Sequence, residues 1–341
     1  MFLTVPLWYN LSMILCIGEA VIDMFQKKAP SLGEVFYPLP GGCSYNTSIA
    51  IGRLGVPAAF LGRLSKNFFG EIQMERLREN NVNTGLILRC EQNPILAIIK
   101  TGEGKEPQYA FYDEGTSDRL LSGEELRSCL RAAKEEISCV VFGSVSINME
   151  PAASAIESFI LNISDYRKET KFLDNPVIAF DPNIRPFMIK DRYAYLKRFE
   201  KLAGASDIAK ISSEDFEYIF PGVEPEKALE KTLALGARLA IATLGPNGAL
   251  ALLKRDDQSV TKVNAAGIKI TSLADTVGAG DTFLGAFLSR LELTGKLSHN
   301  AIADLSAEDL KAALVFANKA AAIVCTRHGA QPPAMEEMKK I

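Results

Sequence analysis

Two histidines, His299 and His328, are all that 341 residues contain, so a histidine-based catalytic triad or a His/Cys metal cage would have to be built on one of them. Cysteine is sparse and unpaired in pattern: Cys16, Cys43, Cys90, Cys129, Cys139 and Cys325 form no CxxC, and most lie among apolar or small residues. Buried free thiols in a reducing, cytoplasmic setting are the expectation. A net charge of -3, with no long run of lysine and arginine, leaves no electrostatic footprint for nucleic acid. The composition is not that of a membrane protein, and the apolar opening Met1–Trp8 lacks the basic n-region and uninterrupted core of a signal peptide. No GxGxxG follows the first apolar run, where Gly18 leads to Asp23, which argues against a dinucleotide-binding dehydrogenase. The Walker A pattern GxxxxGK[ST] is missing too, and Gly102-Glu103-Gly104-Lys105 has the wrong spacing for it. Any nucleotide must therefore be held by another geometry.

What is present is the composition of a globular chain, 48% apolar and 23% charged. Short runs apolar on both faces, at 13–18, 58–62, 139–143, 177–181, 207–211 and 239–243, read as buried strands of a mainly parallel sheet. Amphipathic stretches at 44–54, 68–80, 123–136, 151–164, 191–203, 224–235, 280–293 and 306–326 supply helices. The fold class is therefore α/β. Two segments, 24–39 and 87–112, break the alternation and predict a small β-sheet lid over a site on the main sheet. One α/β domain over 13–330 carries the lid, with residues 1–12 as an N-terminal extension and 331–341 as a C-terminal tail.

The segment Asp275-Thr276-Val277-Gly278-Ala279-Gly280-Asp281 puts a glycine-bracketed turn at the mouth of a helix. The N–H groups of Gly278, Ala279 and Gly280 lack intrahelical partners, and the helix dipole adds about half a positive charge there, so the turn suits a phosphate. The same dipole favours Asp281 as a carboxylate beside that anion, a pairing that points to phosphoryl transfer to a hydroxyl. Alone, the heptapeptide reads equally as a turn with Asp281 as a capping residue. Upstream, Asp23 closes the stretch after the first strand, where α/β sheets bind ligands, although such an aspartate is often only a turn residue. The Gly41-Gly42 pair lets backbone approach a ligand, and Asn46 follows in the first turns of a helix, able to donate and accept.

In these segments the chain resembles the ribokinase-like (PfkB) carbohydrate kinases. GGCSYNTSIAIGRLG with the later Gly70 is similar to their N-terminal signature, and DTVGAGDTFLGAFL to their C-terminal one. The resemblance implies a three-layer sandwich with a mainly parallel central sheet, ATP as phosphoryl donor and a sugar as acceptor. It implies that Asp281 takes the proton of a primary hydroxyl while Gly278-Ala279-Gly280 stabilises the transferring γ-phosphoryl. Sugar contacts match Asp23, Gly41, Gly42 and Asn46, and nucleotide contacts match Lys210, Thr243, Gly245, Gly248 and Asn318; Thr243–Gly248 also reads as a plain hairpin turn. Where many relatives carry Asn-x-x-Glu for Mg²⁺, this chain has Ser212 and Asp215, with Glu214 as a substitute. A monovalent-cation site for K⁺ is implied near Asp275, Val277, Arg327 and Gly329.

Phe180-Asp181-Pro182-Asn183-Ile184-Arg185 follows a buried strand and resembles a motif of the family's fructokinase branch, with Arg185 able to hold a phosphate or sugar oxygen, or simply to pair with Asp181. Asn183 and, in the lid, Phe111 are the further sugar contacts. D-Fructose is the expected acceptor, giving fructose 6-phosphate. Ribose, 2-keto-3-deoxygluconate and a nucleoside such as adenosine are the enzymatic alternatives, and a catalytically silent sugar-binding sensor the non-enzymatic one. The lid's strand edges suggest a homodimer through the lid.

Overall fold

The computed structural model describes residues 11–29, 31–102, 105–166 and 168–340. Most of the predicted N-terminal extension, 1–10, and the Glu103-Gly104 tip of the predicted lid connection lie outside the described residues. The strands are β1 (Met13–Ile17), β2 (Val21–Ala29), β3 (Gly33–Gly41), β4 (Ala58–Leu61), β5 (Arg63–Ser65), β6 (Val82–Asn83), β7 (Leu88–Cys90), β8 (Ile95–Gly102), β9 (Lys105–Tyr112), β10 (Ile137–Gly143), β11 (Val177–Asp181), β12 (Ile208–Ser212), β13 (Leu239–Thr243), β14 (Ala249–Lys254) and β15 (Val260–Ala265).

Among the described residues nine strands form the main sheet, in the order β15-β14-β13-β12-β11-β10-β1-β4-β6. It is parallel from β13 to β6, and β14 and β15 add an antiparallel edge. All five residues of β1 and of β11 are buried, as expected of strands covered on both faces. Strand periodicity then divides them between two cores. Ile14 and Cys16 face the helices Cys43–Arg53, Ala279–Leu293 and Ala307–Val324, whereas Met13, Leu15 and Ile17 face Gly123–Arg131, Ala152–Leu161, Arg192–Gly204 and Pro225–Leu235. Helix, sheet and helix make the three layers expected from the sequence.

The differences from expectation are local. The stretch predicted as one helix over 151–164 breaks at Asn162, whose side chain donates to Ser158 O at 3.0 Å and competes with the helix's own ladder. The short helix Ser213–Ile219 was not expected, yet Ser212 and Asp215 form a capping box at its start. The segment after 330, predicted as a tail, is packed: Met338 joins the core, and Arg53 and Arg327 both pair with Glu337.

The lid is a four-stranded sheet, β3-β2-β8-β9, with β2 antiparallel to β3 and parallel to β8. β2 begins at Val21, ahead of the predicted start at 24. Asp23 is therefore a lid residue, and β1 has already ended at Ile17. The turn between them is fixed by buried polar groups: Ala20 N–H donates to Asp118 Oδ1 at 2.7 Å, and Gln73 Nε2 donates to Ala20 O at 2.9 Å.

Candidate active site

Two helix N-termini meet at the carboxyl ends of the main strands. Gly42 caps the Cys43–Arg53 helix with φ 112°, and a side chain there would come within 2.5 Å of Glu19 O. Gly278 caps the Ala279–Leu293 helix in the left-handed conformation, φ 74°, and an added Cβ would lie 2.6 Å from Ala330 Cβ. Only glycine meets both demands at either place. The helices touch through Gly285, whose place for a Cβ is 2.9 Å from Ala50 Cβ. That approach brings Asn46 to Asp281, with Asn46 Nδ2 donating to Asp281 Oδ2 at 2.9 Å.

The other oxygen of Asp281 accepts from Asn183 Nδ2 at 3.3 Å. Asn183 follows β11 at φ 36°, and Arg185 folds back on it, Nη1 donating to Asn183 Oδ1 at 2.6 Å and to Asn183 O at 3.2 Å. Arg185 thus braces Asn183, and its side chain is otherwise exposed. The Asp181–Arg185 pair considered from the sequence does not form, because Asp181 Oδ2 accepts from Lys210 Nζ at 2.9 Å.

Lys210 is 2% exposed and lies directly beneath the anion turn, its Nζ 2.9 Å from where a Gly280 Cβ would be. Burial opposes its charge, but Asp181 and Asp215 outweigh burial and hold it protonated above its usual range. Burial pushes Asp181 up to about 6 against the pull of Lys210, which leaves an ion pair at neutral pH. At the turn itself, Ala279 N–H is spent on Thr276 O at 3.1 Å, and Thr282 N–H is the first to bond back into the helix, to Gly278 O at 2.8 Å. The N–H groups of Gly280 and Asp281 are the ones left without a backbone partner. The dipole argument predicted an easily ionised Asp281. Burial instead raises its pKa, against hydrogen bonds from Asn46 and Cys43 and the charges of Lys210 and Arg185.

Asp23 stands across from this centre on β2, in register with Ala97 and through it with Phe111, so all three share one face of the lid. Part of its surface opens into a cavity lined also by Phe25, Leu39, Arg76, Val277 and Ala330. Desolvation nonetheless lifts its carboxyl to about 7, with Arg185 pulling the other way, Asp281 adding to the rise and Arg76 opposing it. Gly41 approaches it closely, an added Cβ falling 2.2 Å from Asp23 Oδ2. Phe111 packs on Phe187, ring centroids 5.2 Å apart, and does not line the Asp23 cavity.

Thr243, Gly245 and Gly248 form the turn between β13 and β14. Gly248 lies against the end of β15, and Asn318 Nδ2 donates to Ala265 O and Ala266 O, both at 3.1 Å, clamping that end. The expected metal ligands fare unequally. Asp215 gives both oxygens to backbone, accepting from Ile184 N–H at 2.6 Å and Ser212 N–H at 3.1 Å, so it is a brace, and Glu214 is exposed on the first turn beside it. Cys43, Asp181 and Asp281 bring donor atoms within 4.8 Å of one another, but the Lys210 ammonium already occupies the place of a counter-charge there. Asp181 Oδ1 is buried without a hydrogen-bond partner and is the oxygen that suits a hard cation or a water. Asp275 ties its loop together, accepting from Val277 N–H at 2.9 Å and Gly329 N–H at 2.8 Å, which places the predicted K⁺ segments side by side.

The pfkB family carbohydrate kinase model matches residues 11–338. The chain belongs to this family. A fructokinase of Rhizobium leguminosarum bv. trifolii is 34% identical over 300 residues, covering 88% of this chain and 86% of that protein. The fold is shared with a fructokinase from Xylella fastidiosa solved with bound ATP, at TM-score 0.80 and 23% identity over 96% of this chain and 97% of that one. A Vibrio cholerae fructokinase solved in a fructose-, ADP- and calcium-bound form gives TM-score 0.75 at 21% identity, over 96% and 98% of the two chains.

In this pfkB-family kinase the structure gathers Asp281, Asn46, Asn183, Arg185 and the Gly278–Gly280 turn at one centre, with Lys210 below it and Asp23 facing it. It sets the Thr243–Gly248 turn and Asn318 apart, along the sheet toward β15. Sequence reasoning missed Glu19, a carboxylate 1% exposed that accepts from Cys43 N–H at 2.9 Å and Ser146 N–H at 3.3 Å. Its signal was there: a lone acid in the buried run between Ile17 and Val21 requires a structural partner. Arg76 was missed as well, because nothing in the amphipathic pattern of its helix marks it.

Proposed function

We propose that this kinase transfers the γ-phosphoryl group of ATP to the C6 hydroxyl of D-fructose, releasing ADP and fructose 6-phosphate. The observation that carries the reading is Asp281, buried at a helix N-terminus, with one oxygen held by Asn46 and the other by Asn183, beside N–H groups that have no backbone partner and suit an anion. A carboxylate fixed in this way orients a hydroxyl and receives its proton as the O–P bond forms. The turn's N–H groups, with the Lys210 ammonium beneath them, stabilise the charge on the transferring group. Positioning and electrostatics supply the acceleration, since an aspartate is a weak base toward an alcohol. The fructokinase from Rhizobium supports fructose as the acceptor.

Asp23 would bind sugar hydroxyls from the lid side, and the lid would close to exclude water. The adenine nucleotide would lie along the Thr243–Gly248 turn and the Asn318 clamp, with its phosphates toward Gly280. Mg²⁺ bound with ATP would neutralise phosphate charge, held by the phosphates, water and the unpartnered Asp181 Oδ1. K⁺ would take carbonyl oxygens of the Asp275 and Gly329 loops. Residues 13–330 and the packed segment after them would act as one unit, and the lid edges β3 and β9 would pair two copies.

The test is ADP release with Mg-ATP against fructose, ribose, glucose, 2-keto-3-deoxygluconate and adenosine. Turnover should be greatest on fructose. Preferred turnover of another acceptor would overturn the sugar assignment while leaving the kinase in place.

A further inference from the structure

Arg76 lies outside every motif in the chain, yet it reaches both halves of the site. Its helix, Phe68–Glu79, turns Gly70, Gln73, Met74 and Leu77 inward. Gln73 Nε2 donates to Ala20 O at 2.9 Å and to Val21 O at 3.3 Å, the root of the strand that carries Asp23. One turn on, at i+3, Arg76 projects from the same side. Its Nη2 donates to Ala330 O at 2.5 Å, and its side chain lines the cavity that Asp23 lines.

Ala330 is the residue against which the anion turn rests, since a Cβ on Gly278 would meet Ala330 Cβ at 2.6 Å. The preceding Gly329 donates its N–H to Asp275 Oδ2 at 2.8 Å, which anchors the other end of that turn's loop. One guanidinium therefore faces the sugar-side carboxylate and fastens the segment that backs the phosphate-side turn. The charged groups acting on Asp23 come from several elements: Arg185 after β11, Asp281 on the Ala279–Leu293 helix and Arg76 on its own helix. His328 also lines the cavity but is 87% exposed at its side chain and lies near Asp275, at 3.8 Å. Asp281, by contrast, takes its favourable charges from Lys210 and Arg185.

Resting on the kinase reading above, we propose that Arg76 is a positioning residue: from across the cavity it bears on Asp23, the group that recognises sugar hydroxyls, and through Ala330 it couples that cavity to the turn that receives the phosphoryl group. As a carboxylate Asp23 offers both oxygens as charged acceptors to sugar hydroxyls, and protonation turns one of them into a donor and removes the charge. Burial raises its pKa toward neutrality, Arg185 opposes that rise most strongly, and the positive charge of Arg76, lining the same cavity, opposes it further. Removing that charge moves the ionisation to higher pH. Losing the Ala330 contact loosens the backing of Gly278, and this acts on turnover.

The experiment compares wild type, Arg76→Gln and Arg76→Lys by calorimetric Kd for fructose across pH 5–9 and by kcat with Mg-ATP, with thermal melting as a check on folding. For Arg76→Gln the acid limb of fructose binding should move to higher pH, Kd at pH 7 should rise about two- to threefold, and kcat should fall. The acid limb of kcat, set by Asp281, should stay in place. Arg76→Lys should restore the position of the binding limb but only part of kcat, because it keeps the charge and not the planar fork. An unmoved binding limb in Arg76→Gln would overturn the proposal, whether Kd is unchanged or rises together with a lowered melting temperature. If wild type binds fructose without turning over, the kinase reading fails and the binding limb still judges Arg76. If fructose does not bind, the same series is read with whichever panel compound binds.

Discussion

Asp281 accepts from two asparagines that reach it from different elements, and each link is a separate lever. Asn183 sits at a positive φ, held by Arg185 on one side and giving its amide to Asp281 Oδ1 on the other. Asn183→Ala removes that brace while leaving the Asn46 contact. A hydrogen bond to a charged group is worth about 1.5–3 kcal/mol, so kcat should fall about ten- to hundredfold, with the fructose KM changing far less. Steady-state kinetics decides it: a loss confined to KM would make Asn183 a sugar contact and not a brace. The placing of Asp281 and the glycine turn at a helix N-terminus was open to sequence reasoning because a carboxylate beside a glycine-bracketed turn travels with the letters, whereas Asn46, expected as a sugar contact, is bonded to Asp281 from 235 residues away. The Lys210–Asp181 pair beneath Gly280 was not open to it either, since it joins β11 to β12 across the sheet and no spacing along the chain records it.

The strands and helices follow from pattern because both faces of the sheet are covered. Apolar runs such as Val177–Phe180 read as interior, and the bounds of the strands Val177–Asp181 and Leu239–Thr243 match expectation. The hairpin reading of Thr243–Gly248 implies the antiparallel β13–β14 pair, but β14 and β15 were not themselves placed, as β14 reads Ala-Leu-Ala-Leu-Leu-Lys with no polar alternation to mark it as a strand. Nor does pattern reveal which helices touch. The Cys43–Arg53 and Ala279–Leu293 helices meet through Gly285, and that contact sets the reach of Asn46 to Asp281. Gly285→Val forces its Cβ against Ala50 and Thr47 O, positions 2.9 and 3.1 Å away. Overpacking of this kind costs about 1–3 kcal/mol. Chemical denaturation should show that loss, and kcat should drop with it as the two helices separate. Full stability with unchanged kcat would show that the helix contact does not govern the site.

Over the whole molecule, three layers present the carboxyl ends of the parallel strands to a lid rooted at Val21. Among the described residues no helix is long and apolar enough to cross a membrane. The lid carries the exposed apolar side chains Phe36 and Tyr37 on β3, 44% and 50% exposed, at an unpaired strand edge. Edges of this sort are covered or paired in stable proteins. If two copies pair through β3, wild type should sediment as a dimer and Phe36→Glu as a monomer that keeps its fold. A wild type that remains monomeric at micromolar concentration would remove the lid pairing. The residues gathered around Asp281 all come from one chain, so that outcome would leave the proposed roles of Asp281 and the Gly278–Gly280 turn untouched.

The measurement that bears most directly on the account is the rate of ADP release with Mg-ATP and saturating fructose, for wild type and for Asp281→Asn, with ATP affinity measured alongside. The asparagine keeps the shape and, through its single carbonyl oxygen, one of the two contacts to Asn46 and Asn183, but cannot take the proton. Turnover should fall by about 10²–10⁴-fold while ATP binding changes little. Turnover near that of wild type in Asp281→Asn would contradict the assignment of Asp281 as the group that receives the hydroxyl proton.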